Sequence, residues 1–166
     1  MRHLALYIIL LFAFSCTETP NAITTYGYLK ERINYQSKNV YGFENLFDGI
    51  HSQIDQDVFG ILHFPDNYDA SIRYPLVIAS HGSSNWRDHH RRYLEQMRQA
   101  NYFVFAIHPF DSRDVSSTVG NQINVTSETV IYEMAQALNL LSKDPRIDSQ
   151  KIFAAGWSLG LSLIHI

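Results

Sequence analysis

The chain has 166 residues, 46% of them hydrophobic and 17% charged, with a formal net charge of −3. That apolar fraction excludes an intrinsically disordered chain, and the length allows one domain whose core needs no disulfide or metal staple. The mildly acidic balance leaves no electrostatic footprint for nucleic acid, and a single cysteine excludes an internal disulfide framework or a cysteine-based zinc site.

In chain order, the first element reads as an address. Met1-Arg2-His3 is a short basic start, and Leu4 to Phe14 is an unbroken apolar run. The run is too short for a helix across a bilayer of about 30 Å, which needs roughly 20 residues. Residues 1–15 therefore read as a secretory signal. Cys16 follows at once, and the stretch Phe12-Ala13-Phe14-Ser15-Cys16 resembles a bacterial lipobox, with Ala13 where leucine is usual. That resemblance implies lipidation of Cys16 and an exported protein anchored to the membrane of a bacterial envelope, in the periplasm or at the cell surface. An ordinary signal peptide with an incidental cysteine is the alternative. Residues 16–25, polar and carrying Pro20, read as a tether.

Residues 26–57 are aromatic-rich and broken by Gly27, Gly42 and Gly49, and predict an irregular lead-in with one short strand. From Val58 the pattern sharpens. Val58 to Phe64 predicts a strand, closed by Pro65-Asp66-Asn67 turn chemistry. Leu76 to Ala79 is a continuous apolar run, as for a strand buried on both faces. Trp86, His90, Leu94, Met97 and Asn101 recur near helical spacing, with Ser84 or Asn85 as N-cap and Asn101 as left-handed C-cap. Tyr102 to Ile107 predicts another buried strand, and a polar loop runs from His108 to Thr126. Val130, Met134, Leu138 and Leu141 share one face of a second helix, which stops before Asp144-Pro145. Ile152 to Ala155 predicts the next strand. This alternation means an α/β fold with a mostly parallel sheet and helices on both faces, whose ligands bind beyond the carboxyl ends of the strands.

At the end of the Ile152–Ala155 strand stands Gly156-Trp157-Ser158-Leu159-Gly160, a G-x-S-x-G sequence. A serine on a sharp strand-to-helix turn exposes its hydroxyl above the sheet, and flanking glycines let the chains pass without a Cβ clash. A chance match in a chain of this length has a probability of roughly 5%, and the strand before it lowers that further. The plain alternative is a glycine-flanked turn with an idle serine. A second turn, His81-Gly82-Ser83-Ser84, follows the Leu76–Ala79 strand, where a backbone N–H can help hold an oxyanion. The partner donor would be the N–H of Leu159.

Residues from Val58 to Gly160 are similar to the α/β-hydrolase superfamily, above all its dienelactone hydrolase-like and related esterase and peptidase members. The matching stretches are Tyr74–Gly82, Asp144–Asp148 and Lys151–Gly160. The resemblance implies a Ser–acid–His triad with Ser158 as nucleophile, oxyanion donors at Ser83 and Leu159, and no metal or cofactor. Enzymes acting on true dienelactones usually carry a cysteine nucleophile; Ser158 favours an ester or amide acyl bond in a small-molecule substrate.

In such triads the acid and then the base follow the serine. Six residues follow Gly160, and they cannot supply both. His165 lies about 10 Å along a helix from Ser158, against the roughly 3 Å that a general base needs. The tail from Leu161 to Ile166 reads as translated adapter sequence, so residues 161–166 are expected to be non-native, and residues 58–160 to be a hydrolase domain truncated after its nucleophile turn. Among other candidates, His81 reads as structural. His108, at a strand end, is either a pocket residue or a solvated one. Asp111 precedes the serine and takes no triad role. The Arg87–Arg92 run reads as the wet face of its helix, and adjacent His89 and His90 do not make a metal pair. The expected function is that of an exported serine hydrolase; the alternative is a membrane-anchored binding lipoprotein that keeps the fold without catalysis.

Overall fold

The computed structural model describes residues 28–164. The signal, Cys16, the tether to residue 25 and His165 lie outside the described residues. No described helix is long and apolar enough to cross a membrane.

Five strands form one sheet: β1 (Lys30–Asn39), β2 (Ile54–His63), β3 (Tyr74–Ser80), β4 (Phe103–Ile107) and β5 (Ile147–Gly156), in spatial order β1-β2-β4-β3-β5. β3 pairs in parallel with β4 on one side and β5 on the other, as expected. β1–β2 and β2–β4 run antiparallel, so the sheet is mixed. The β1–β2 connection explains the first of these. Its helix α1 (Phe43–Phe47) has five residues, too short to cross a sheet and return the chain in parallel.

The expected irregular lead-in is replaced by a full strand. Lys30 to Asn39 pairs residue by residue with Ile54 to His63. Only Ile33 and Tyr35 give β1 an apolar face, and both pack against the core. β2 likewise begins four residues before Val58.

Alternation along β3 and β4 sorts the core into two layers. Leu76, Ile78, Phe103, Phe105 and Ile107 face α3 (Ser127–Leu141), where Val130, Ala137 and Leu141 meet them. Ala79, Val104 and Ala106 face α2 (Asp88–Gln99) and its Leu94. Both crossover helices thus cover opposite faces, and the apolar runs of β3 and β4 follow from burial on both sides.

α2 starts later than its apolar spacing predicts. Asn85 stands at φ 67° in a left-handed turn, and its carboxamide oxygen accepts the Trp86 N–H rather than capping a helix. Arg87 is the N-cap, and its N–H donates to the His90 imidazole at 3.0 Å. At the other end Asn101 is left-handed at φ 65°, as expected of the residue closing that helix.

Candidate active site

β3 and β5 are parallel neighbours with Ala79 opposite Ala155 and Ser80 opposite Gly156. Their carboxyl ends therefore release two turns side by side, and the Trp157 N–H donates back to the Ser80 carbonyl. Ser158 follows at φ 53°, a left-handed backbone that costs an L-residue roughly 1–2 kcal/mol. Its side chain is exposed above the sheet. α4 (Leu159–Ile164) begins immediately, with the Leu161 N–H donating to the Ser158 carbonyl at 3.0 Å.

Gly156 is a steric necessity, and Gly82 sits in a tight contact. A Cβ on Gly156 would lie 2.2 Å from the Gly160 carbonyl oxygen, so the strand end and the first turn of α4 touch backbone to backbone. A Cβ on Gly82 would lie 3.1 Å from the Ser158 Cβ and 3.0 Å from the Trp157 carbonyl oxygen. The His81–Ser83 turn and the serine are thus in contact, although 75 residues separate Ser83 from Ser158.

Neither the Ser83 N–H nor the Leu159 N–H donates to a protein group among the described residues. Ser83 is nonetheless fixed on its carboxyl side. Its carbonyl oxygen accepts the Thr118 N–H at 2.9 Å and the Ser117 hydroxyl at 2.9 Å. Nothing in the residue spacing announces this clamp, because a backbone carbonyl takes it from a loop 34 residues away. That loop is held in turn by Arg113, which donates to the Asn39 side chain, the Pro109 carbonyl and the buried Glu133 carboxylate.

His81 is buried and structural. Its Nδ1 lies 2.8 Å from the Gly82 carbonyl, and its ring packs edge-on against Phe110 at 4.5 Å. Burial pulls its pKa down to about 4, so the ring is neutral at pH 7 and Nδ1–H donates to that carbonyl.

His108 lines a cavity of about 800 Å³ with Trp86, but not together with Ser158. Its Nδ1 lies 2.6 Å from the Asp111 carboxylate, which this hydrogen bond holds below the usual carboxylate range. A His–carboxylate pair at a strand end has the form of a triad's acid and base. Its place does not fit: β4 and β5 flank β3, so two strand spacings put their ends about 10 Å apart. The Arg87–Arg92 run is exposed except for His90, which is buried. The His89 and His90 rings do come together, with centroids 3.9 Å apart, but His90 Nδ1 is already taken by Arg87. Among the described residues no three His, Cys, Asp or Glu side chains gather as a metal site.

No protein-family model matches this sequence, and no curated protein matches it. Solved structures do. A cold-adapted esterase from an Arctic intertidal metagenomic library superimposes with TM-score 0.56 at 13% identity, over 87% of this chain and 56% of that one. Esterase 2 of Thermogutta terrifontis, phosphoramylated by tabun, gives 0.51 at 15% identity, over 78% and 44%. An acylaminoacyl peptidase of Pyrococcus horikoshii gives 0.50 at 13%, over 81% and 20%. This chain spans little more than half the length of these structures, or less. At these identities the likeness establishes the fold: residues 28–164 have the α/β-hydrolase fold, through the turn that carries Ser158.

Proposed function

We propose that the protein is a serine hydrolase that cleaves an ester or amide acyl bond in a small-molecule substrate. The observation that carries this reading is a left-handed, exposed Ser158 set against the Gly82 turn, beside two backbone N–H groups, of Ser83 and Leu159, that have no acceptor among the described residues. Ser158 Oγ attacks the acyl carbonyl, and charge accumulates on its oxygen. The N–H groups of Ser83 and Leu159 stabilise that oxyanion where it forms. A base that follows the serine in chain order takes the Ser158 proton and returns it to the leaving group, while an acid orients that base and stabilises its charged form. The acyl-enzyme is then hydrolysed by water activated by the same base. The similar esterases support this reading, and one of them is modified by an organophosphorus agent.

Labelling of the full-length protein with a fluorophosphonate probe tests it. Wild type is expected to label, and Ser158→Ala to lose both label and esterase turnover by several orders of magnitude. Undiminished labelling in the alanine variant would place the reactive serine elsewhere. Absence of labelling in wild type would favour the non-catalytic binding lipoprotein.

From the apolar run that Cys16 closes, we propose also that the protein is exported and anchored through Cys16. Metabolic labelling with a palmitate analogue should mark wild type and not Cys16→Ala; equal label in both would sink the anchor.

A further inference from the structure

Between α2 and the outer strands β1 and β2 lies the cavity of about 800 Å³ that His108 borders. Strand alternation builds it. Lys30 stands opposite His63 and Arg32 opposite Ile61, so one face of the β1–β2 pair is basic while the other sends Ile33 and Tyr35 into the core.

The acids that line the cavity are already committed. Asp66 and Glu95 both pair with Arg98, whose side chain is 4% exposed and whose guanidinium lies 3.8 Å over the Tyr28 ring. Asp88 pairs with Arg91 at 3.0 Å. Two lining guanidiniums have no acid partner among the described residues. Arg32 lies 3.4 Å over the Phe59 ring and donates to Asn34; Arg92 stands exposed on α2. Ile61, Leu94, Ala106 and the Trp86 ring give the cavity an apolar wall, beside Lys30, His63 and His108.

Small-molecule sites typically enclose about 300–1,000 Å³, and this cavity falls within that range. Guanidinium forks match the oxygens of an anion, and a phosphate offers enough oxygens for two of them. Local surplus of positive charge in a chain of net −3 selects for an anion.

We infer that this cavity binds an amphiphilic phosphate, its anionic head on Arg32 and Arg92 and its apolar body against Ile61, Leu94 and Trp86. A soluble organic phosphate and a phospholipid headgroup present that same chemistry. The site stands independently of Ser158, which is not in its wall.

Two binding measurements on full-length Cys16→Ala protein, which carries no lipid of its own, test this. One is equilibrium dialysis with phenyl phosphate. The other is cosedimentation with phosphatidylglycerol vesicles, against phosphatidylcholine as control. Saturable binding is expected in at least one arm, weakened tenfold or more by Arg92→Glu and by Arg32→Ala, and unchanged by Ser158→Ala. Binding of phenyl phosphate alone identifies a soluble ligand; Arg92-dependent binding to phosphatidylglycerol identifies a headgroup. Arg92 is exposed, so its variant reports binding even if Arg32→Ala, checked by its melt, fails to fold. Absence of binding in both arms, or equal binding by wild type and Arg92→Glu, overturns the inference.

Discussion

A Cβ placed on Gly160 would stand 2.5 Å from the carbonyl oxygen of Ser80 and 2.8 Å from that of His81. Both are backbone atoms, so neither can swing aside as a side chain would. The first turn of α4 is therefore seated directly on the end of β3, and that seating fixes how close Ser158 comes to the His81–Ser83 turn. Gly160→Ala should destabilise the protein by roughly 2–4 kcal/mol, as overpacking against rigid atoms does. Urea unfolding measures it; a loss below about 0.5 kcal/mol would mean that the two turns part easily.

Strain at Ser158 makes a separate prediction. At φ 53° glycine is at ease and alanine is not. Ser158→Gly should be more stable than Ser158→Ala by about 1 kcal/mol, with both inactive. Equal melting curves would show that no strain is stored there.

Clamping of Ser83 can be tested through kinetics. Ser117→Ala removes one of two hydrogen bonds to the Ser83 carbonyl, on the peptide next to the Ser83 N–H, and loosens the residue that carries that oxyanion donor. Turnover is expected to fall about fivefold, the worth of a hydrogen bond near 1 kcal/mol, with KM little changed and Ser117→Thr restoring activity. A purely structural hydroxyl would instead lower stability and leave turnover per folded molecule intact.

Much of this was legible in the residues, for physical reasons. β3 and β4 are buried on both faces, so their apolar runs could be nothing else. The G-x-S-x-G turn announces itself because Gly156 and Gly160 have backbone on both sides. β1 was opaque because Lys30 and Arg32 line a cavity rather than a core and Asn34 is exposed, leaving Ile33 and Tyr35 as the only signal. The start of β5 was hidden too: Asp148, Ser149, Gln150 and Lys151 are polar and little buried. The Ser117 clamp is invisible to any motif, since it is a tertiary contact to a carbonyl that every residue possesses.

Acid should weaken the fold chiefly through the two buried imidazoles whose pKa falls furthest, His81 and His63. Burial lowers the pKa of His81 to about 4 and that of His63 to about 3, whereas the unfolded chain titrates near 6.5. Their stabilisation is full above 6.5 and is lost as pH falls toward those folded values. Glu133 opposes this: burial lifts it to about 7, so between its unfolded value of 4.5 and that pH the folded chain holds the extra proton. Near pH 5 unfolding therefore takes up about two protons at the histidines and releases nearly one at Glu133. Stability should rise with pH there by roughly 1.4 kcal/mol per unit, and His63→Gln should flatten that slope. Urea titrations between about pH 4.5 and 6 measure it; an unchanged slope in the variant would mean that His63 is protonated in the folded chain.

The last prediction concerns residues 28–166 expressed alone. Among the described residues β5 pairs only with β3, and its outer edge carries unpaired N–H and C=O groups. Phe153 on that strand is 51% exposed, and Leu161 on α4 is 45% exposed. An open, flat edge with apolar neighbours is a template for pairing between copies. Burying an exposed Phe is worth about 1.5–3 kcal/mol, a sizeable part of a domain's net stability of about 5–15 kcal/mol, so association competes well with folding. This polypeptide should aggregate, and Phe153→Lys, which places a charge on the edge, should raise its soluble fraction. Sedimentation velocity decides the matter. A wild-type polypeptide that runs as a monomer and melts sharply would show that β3 pairing and α4 alone suffice to protect β5.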